Sequence, residues 1–271
     1  MTLKNQVAIV TGAGRGIGRA IAQRLAAEGM RVALLARTLS ELEQTAELIR
    51  AADGKEAIRS VDVTDERAVN QAFAAIHDAW GPADLLVNNA ARFNALGPVW
   101  DVDPEDWWRD VTVNIQGVFL CCRAALEQMR PRGSGRIINL IGGGVGGPFK
   151  YGSGYGTSKA AVMRFTECLA QEVKNEGISV FAMGPGLVRT AMTDLQVVTE
   201  AGRKYFGQIQ QAFDEGHDVP PTLAAELTAH LASGRFDALT GRAFNAGEDM
   251  DAVAEDTDRI IADDLRTLRM R

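Results

Sequence analysis

The sequence predicts an α/β fold: a doubly wound parallel sheet of about seven strands with helices on both faces. Three observations carry the prediction. Short apolar runs recur along the chain, amphipathic stretches of helical length separate them, and glycines stand where the helical stretches stop. The first run, Val7 to Val10, leads through a Gly-rich turn into a helix from Gly16 to Glu28, and a second run, Val32 to Ala36, precedes a helix from Leu39 to Ala52. Gly29 and Gly54 follow these helices, where a residue free to adopt positive φ can end them. The alternation continues through a strand at Ala57 to Val61, a helix from Asp65 to Ala79, a strand at Leu85 to Asn88, helices between Pro104 and Arg130, and a strand at Arg136 to Leu140. A helix through Tyr155 reaches about Glu176 and precedes a strand at Ser179 to Met183. An irregular segment from Pro185 to Pro220, a helix near Leu223 to Leu231 and a last strand around Ala243 complete the series. No internal repeat is present, so residues 1–250 read as a single domain. Residues 251–271 read as a C-terminal extension, and the spacing of Val253, Ile260, Ile261, Leu265 and Leu268 predicts that it is helical and docked.

Composition narrows the function. Hydrophobic residues make up 46% of the 271 positions, as in an ordinary globular protein, and the net charge of -6 offers no footprint for nucleic acid or an anionic membrane. No apolar run approaches the ~18 residues of a spanning helix, and the first strand starts too close to Met1 for a signal peptide to precede it. Cys121, Cys122 and Cys168 lie in apolar helical patterns without metal-ligand spacing, which suits reduced thiols in a cytoplasmic protein. His77, His217 and His230 likewise lack the spacing of metal ligands, so no metal is expected.

The turn Thr11-Gly12-Ala13-Gly14-Arg15-Gly16-Ile17-Gly18 follows the first strand. Gly12 allows a tight turn, while Gly16 and Gly18 admit close backbone approach at the start of a helix whose amides favour anionic phosphate. This arrangement resembles a Rossmann dinucleotide turn. At the end of the second strand, where an NAD enzyme places an acid against the ribose 2′-hydroxyl, the chain has Ala36 and Arg37. Arg15 and Arg37 offer two guanidinium groups suited to a 2′-phosphate, which favours NADP(H). Tyr155 and Lys159 are four residues apart on one predicted helix face, so the ammonium is expected to lower the phenol's pKa and tune it for acid-base chemistry.

Asp62-Val63, Asn88-Asn89-Ala90, Asn114, Tyr155-x-x-x-Lys159 and Pro185-Gly186-Leu187-Val188-Arg189-Thr190 occur in the order seen in short-chain dehydrogenases/reductases. The chain resembles that family from about Val7 to Gly247. The resemblance implies that Asp62 and Val63 meet the adenine and that Asn88 and Ala90 line the cofactor cleft. It also implies that Pro185, Gly186, Val188 and Thr190 surround the nicotinamide, with Val188 and Thr190 on its carboxamide. By the same resemblance Tyr155 protonates the carbonyl oxygen, Lys159 binds the nicotinamide ribose, and Asn114 kinks its helix and holds a proton-relaying water. A homodimer or homotetramer acting on a small-molecule substrate is implied too, with Val118 to Met129 and Ala160 to Leu169 packing between subunits.

Two positions depart from the family pattern. A serine hydroxyl usually stands thirteen residues before the tyrosine, and here that residue is Gly142, in the run Gly142-Gly143-Gly144. Losing one oxyanion donor costs on the order of 10² to 10³ in rate. Backbone amides of these glycines, Ser153 or Tyr151 could hold the substrate oxygen instead. The substrate could also be an imine, or the chain could bind cofactor without turnover. Ala91 replaces a glycine, and Arg92 behind it could receive an acidic substrate group together with Lys150 and Arg189. Tyr205, Phe206 and Phe213, with Phe93, Trp100 and Phe149, suggest an apolar cleft under a mobile 191–218 segment.

Overall fold

The computed structural model describes residues 3–269. The sheet consists of β1 (Val7–Thr11), β2 (Arg31–Ala36), β3 (Lys55–Ser60), β4 (Leu85–Asn88), β5 (Gly135–Leu140), β6 (Ile178–Gly184) and β7 (Ala243–Asn245). Its order is β3-β2-β1-β4-β5-β6-β7, and all six pairings are parallel. The seven-stranded, Rossmann-like sheet with flanking helices is thus the fold that the sequence pattern predicts. The chain winds outward from β1 to β3 and then returns to start β4 on the other side of β1. That reversal opens a crevice at the carboxyl ends of β1 and β4, where α/β sheets bind ligands.

Inner strands form from continuous apolar runs because helices cover both faces of a parallel sheet. Every residue of β1, β4 and β6 is buried. Alternate side chains feed two cores: Ala8 and Val10 join one face, Val7 and Ile9 the other. The first face packs α1 (Gly16–Ala27) and α2 (Leu39–Ala51), through Ile21, Leu25, Leu42 and Ile49. The second packs α3 (Glu66–Trp80), through Val69, Phe73 and Ile76. β3 starts at Lys55, two residues before the apolar run, because this edge strand is only half-buried and its pairing with β2 extends beyond its hydrophobic pattern.

The stretch between Pro104 and Met129 contains α4 (Pro104–Val111), a π-helical turn at Thr112–Gln116, and α5 (Gly117–Met129). Asp103 caps α4 by accepting from the Asp106 amide, and Pro104 suits the first turn because it has no N–H to satisfy. α6 (Ser153–Glu172) stops four residues short of the sequence estimate. The segment read as irregular holds three short helices, α7 (Ala191–Val198), α8 (Glu200–Tyr205) and α9 (Gly207–Asp214), before α10 (Pro221–Ala232). Hydroxyl caps explain the first two: Thr190 forms a capping box with Thr193 above α7, and Thr199 accepts from the Gly202 amide to start α8.

Beyond β7, α11 (Met250–Glu255) and α12 (Thr257–Ala262) bury Met250, Val253 and Ile260 against the first core. The following residues form turns and bends against the sheet: the Ala243 amide of β7 donates to the Arg266 carbonyl at 2.9 Å, and the Leu268 amide to Glu167 of α6 at 2.6 Å. Residues 270 and 271 of the extension lie outside the described residues.

A polar chain runs through the second core. Asn88 donates to Asn139 at 2.9 Å and to the Cys122 sulfur at 3.2 Å, and Asn139 donates to the Thr166 hydroxyl at 3.0 Å. All four residues are buried, so each amide depends on the next for its hydrogen bonds. Asn139→Ala is expected to lower stability by about 2 kcal/mol or more by removing the oxygen that accepts from the buried Asn88 amide, leaving it only the weakly accepting Cys122 sulfur, as read by urea denaturation. A loss under about 0.5 kcal/mol would show that the chain is not needed.

Candidate active site

The Gly-rich turn is held against the end of β4 by paired hydrogen bonds. The Thr11 hydroxyl accepts from the Asn89 and Ala90 amides, each at 3.0 Å, while the Asn89 side chain donates to the Thr11 and Gly12 carbonyls at 2.9 and 3.1 Å. A Cβ on Gly12 would stand 2.7 Å from the Asn89 side chain and one on Gly18 would press into the Gly12 carbonyl, so both positions exclude a side chain. From outside, Arg19 and Thr45 bind the Ala13 and Gly14 carbonyls. These braces went unnoticed in the sequence because their partners are backbone atoms.

The crevice is lined by Gly12, Arg15, Gly16, Ile17 and Gly18, by Arg37, Asp62 and Val63, and by Ala90, Tyr155, Lys159, Pro185 and Thr190. Thirteen of the sixteen positions assigned to the cofactor therefore share one cleft. Asn88, Gly186 and Val188 are not on its wall: Asn88 belongs to the buried amide chain, Val188 is buried, and Gly186 holds a left-handed turn at φ 79°. The backbone approach at Gly12, Gly16 and Gly18 fits a dinucleotide diphosphate at the start of α1.

The Arg15 guanidinium pairs with Glu41 at 3.0 Å; Glu41 lies on α2 and also lines the cleft. This carboxylate was missed because its partner lies 26 residues away. Among the described residues no carboxylate pairs with Arg37.

α6 carries Tyr155 and Lys159 into the far end of the cleft. Lys159 is buried and its ammonium donates to the Leu140 carbonyl at 2.8 Å, 5.6 Å from the centre of the Tyr155 ring. The expected lowering of the phenol's pKa is not found. Burial pushes Tyr155 up to about 12, with Phe93 stacked on the phenol ring at 4.6 Å and Phe149 5.9 Å away, and burial likewise pushes Lys159 down to about 8. Desolvation outweighs the neighbouring charge at this site.

Asn114 lies in the π-turn, fully buried, and does not face the cleft. It accepts from the Arg92 amide at 2.8 Å and donates to the Arg92 carbonyl and the Ser158 hydroxyl, both at 2.9 Å. Ser158 in turn donates to the Tyr155 carbonyl at 2.6 Å. The side chain thus ties the loop after β4 to the helix that carries Tyr155.

Other sequence candidates have different roles. Ser153 accepts from the Trp107 indole at 3.0 Å. Tyr151 faces Tyr205 at 4.7 Å. Arg92 is bound by Asp106 and the buried Asp110, each at 2.5 Å, which removes it from reach of an acidic substrate. A Cβ on Gly142 would lie 2.5 Å from the Tyr155 hydroxyl, so the phenol fills space that a side chain there would need. Among the described residues, the amides of Gly142, Gly143 and Gly144 donate to no protein acceptor. Cys121 and Cys122 are buried, and burial pushes Cys121 up to about 12 and Cys122 higher still, as expected of inert thiols. No cluster of metal-binding side chains occurs among the described residues, and no helix among them is long and apolar enough to cross a membrane.

A short chain dehydrogenase family model matches residues 6–200, and the chain belongs to the short-chain dehydrogenase/reductase family. It is 37% identical over 222 residues to a 2-(R)-hydroxypropyl-CoM dehydrogenase of Xanthobacter autotrophicus, covering 78% of this chain and 89% of that one. An actinorhodin polyketide ketoreductase variant solved with NADPH is 34% identical, with a TM-score of 0.81 over 89% of this chain and 95% of that chain. An NAD+-bound xylitol dehydrogenase has the same TM-score, 0.81, at 29% identity, over 90% and 98% of the two chains. Both dinucleotides thus occur among similar structures, and the choice for this chain turns on its own residues.

The buried lysine gives a pH signature. Its folded-state pKa, about 8, lies below the unfolded value near 10.5, so between these values the unfolded chain binds the extra proton and stability rises with pH. Wild type is expected to gain roughly 2–3 kcal/mol relative to Lys159→Met from pH 8 to 10.5, read by denaturant unfolding of the cofactor-free proteins. A pH-independent difference would place the ammonium in water.

Proposed function

We propose that the protein is an NADP(H)-dependent oxidoreductase that interconverts a carbonyl and an alcohol by hydride transfer, with glycine amides holding the substrate oxygen where the family has a serine. The carrying observation is the placement of Tyr155 and Lys159 at the end of the glycine-walled cleft, with Gly142 packed against the Tyr155 hydroxyl. When bound, the dinucleotide supplies or accepts the hydride.

Gly12, Gly16, Ile17 and Gly18 would hold the diphosphate, Asp62, Val63 and Ala90 the adenosine side, and Pro185 and Thr190 the nicotinamide end. Gly186 and Val188 would act from behind the wall through their backbone. Arg37 and Arg15 would receive the 2′-phosphate. At neutral pH the buried Tyr155 carries its proton and Lys159 is cationic, given pKa values of about 12 and 8. In reduction Tyr155 donates the proton to the carbonyl oxygen, and the Lys159 charge stabilises the phenolate left behind. Lys159 would also bind the nicotinamide ribose, and Asn114 would position α6 through Ser158. The half-exposed Phe119 on α5, in edge contact with Phe165 of α6, supports a homo-oligomer built across these helices.

Glu41 competes for Arg15, so the 2′-phosphate must displace a carboxylate. Fluorescence titration is expected to show tighter binding of NADPH than of NADH. Arg37→Asp should narrow or reverse the gap, whereas Glu41→Gln should tighten NADPH about 10-fold with little effect on NADH. Equal affinities in wild type would refute the assignment.

Turnover is tested by NADPH consumption with panels of ketones, aldehydes and imines. Tyr155→Phe is expected to lower kcat by at least about 10² while leaving NADPH affinity within a few-fold. Gly142→Ser should also lower activity, because its Cβ displaces the phenol. A gain of about 10² to 10³ on restoring the hydroxyl would mean that the amides do not fill this role. Consumption confined to imines would reassign the reaction, and cofactor binding without turnover across the panel would count against an enzyme.

A further inference from the structure

Phe206 joins α8 to α9 and is fully buried, one ring removed from the reactive phenol. It meets Phe93 edge-on at 5.4 Å and Phe149 at 5.9 Å, the two rings that flank Tyr155. Phe93 comes from the loop after β4, Phe149 from the loop before α6, and Phe206 from the segment after β6. Three loops therefore converge where a carbonyl compound has to bring its oxygen to Tyr155.

Glycines give the rings their space. A Cβ on Gly143 would lie 2.7 Å from the Phe149 ring, one on Gly152 would lie 2.7 Å from Phe149 and 2.8 Å from Phe93, and one on Gly156 would lie 2.8 Å from the Phe149 Cβ. The neighbouring cations are engaged elsewhere. Arg92 is bound to Asp106 and Asp110, Arg189 lies over Phe213, and Lys150 and Lys204 lie over Tyr151 and Tyr205. The place that the Phe206 ring fills is thus bounded by two other aromatic rings.

We propose that Phe206 is a place-holder, and that the substrate is a carbonyl compound whose aromatic ring displaces the Phe206 side chain and packs against Phe93 and Phe149 with its carbonyl at Tyr155. The proposal rests on the carbonyl reductase reading of the same site. A ring entering this space regains the edge and tilted contacts that Phe206 gives up, whereas an aliphatic chain of equal carbon number does not. The protein's own side chain therefore lowers the apparent affinity for a ring that has to take its place, in proportion to the fraction of molecules in which it has swung out.

Acetophenone and 2-octanone, with eight carbons each, separate ring recognition from simple hydrophobicity. Their binding to protein saturated with NADP+ is to be measured by calorimetry for wild type, Phe206→Ala and Phe206→Leu. Phe206→Ala is expected to bind acetophenone about 10-fold more tightly than wild type, with less than about 3-fold change for 2-octanone. Of the three tyrosines, the one titrating near pH 12 by ultraviolet absorbance should move down as its ring becomes hydrated. Equal gains for both ketones, or no gain for acetophenone, would overturn the proposal and make Phe206 ordinary packing. Should Phe206→Ala not fold, Phe206→Leu must still tighten acetophenone selectively, and failure there overturns the proposal equally. Tight acetophenone binding without NADPH consumption would refute the reductase reading and leave the place-holder standing. Reduction of small aliphatic ketones without any acetophenone gain would do the reverse.

Discussion

The clasp between Thr11 and Asn89 is the contact on which the site depends. It joins the ends of β1 and β4, the two neighbouring strands from which the chain proceeds to opposite sides of the sheet. Without it the glycine turn and the loop that carries Ala90 to Phe93 would have no fixed relation. The backbone groups involved cannot be replaced by side-chain packing, since a Cβ at Gly12 or Gly18 has no room. The strand order makes the crevice and this clasp sets its width.

From there the geometry passes along the chain in steps. The loop after β4 is fixed to the π-turn by Asn114, to α4 by the ion pair of Arg92 with Asp110, and to Tyr155 by the stacked Phe93 ring. Asp110 also accepts from the Asn94 and Ala95 amides, so one buried carboxylate gathers three donors from a short loop. Such a fully bonded charge fixes one loop conformation, because any other leaves a charge without partners in a desolvated place.

Much of this was legible in the sequence, for identifiable reasons. The inner strands are continuous apolar runs and the helices are amphipathic, so the order of elements along the chain followed from pattern alone. Tyr155, Lys159 and the glycine turn were legible because their chemistry needs fixed local spacing. The features that escaped depend on residues distant in sequence. Glu41 reaches Arg15 across 26 residues, and of the three short helices after β6 the first two carry hydroxyl caps, but none is long enough for an apolar stripe to read. The sign of the Tyr155 shift also escaped, because spacing places a charge beside a phenol but does not reveal the rings that desolvate it.

The stretch after α12 has a consequence for assembly. A parallel sheet ends in strands with unpaired amides, and such edges recruit strands from other molecules. At β3 the exposed edge carries Lys55, Glu56 and Arg59, whose charges discourage pairing. β7 has only three residues, and its Ala243 amide is taken by the Arg266 carbonyl while Leu268 and Arg269 are tied to Glu167. The last described residues thus cover part of the β7 edge, at the side of the sheet opposite β3.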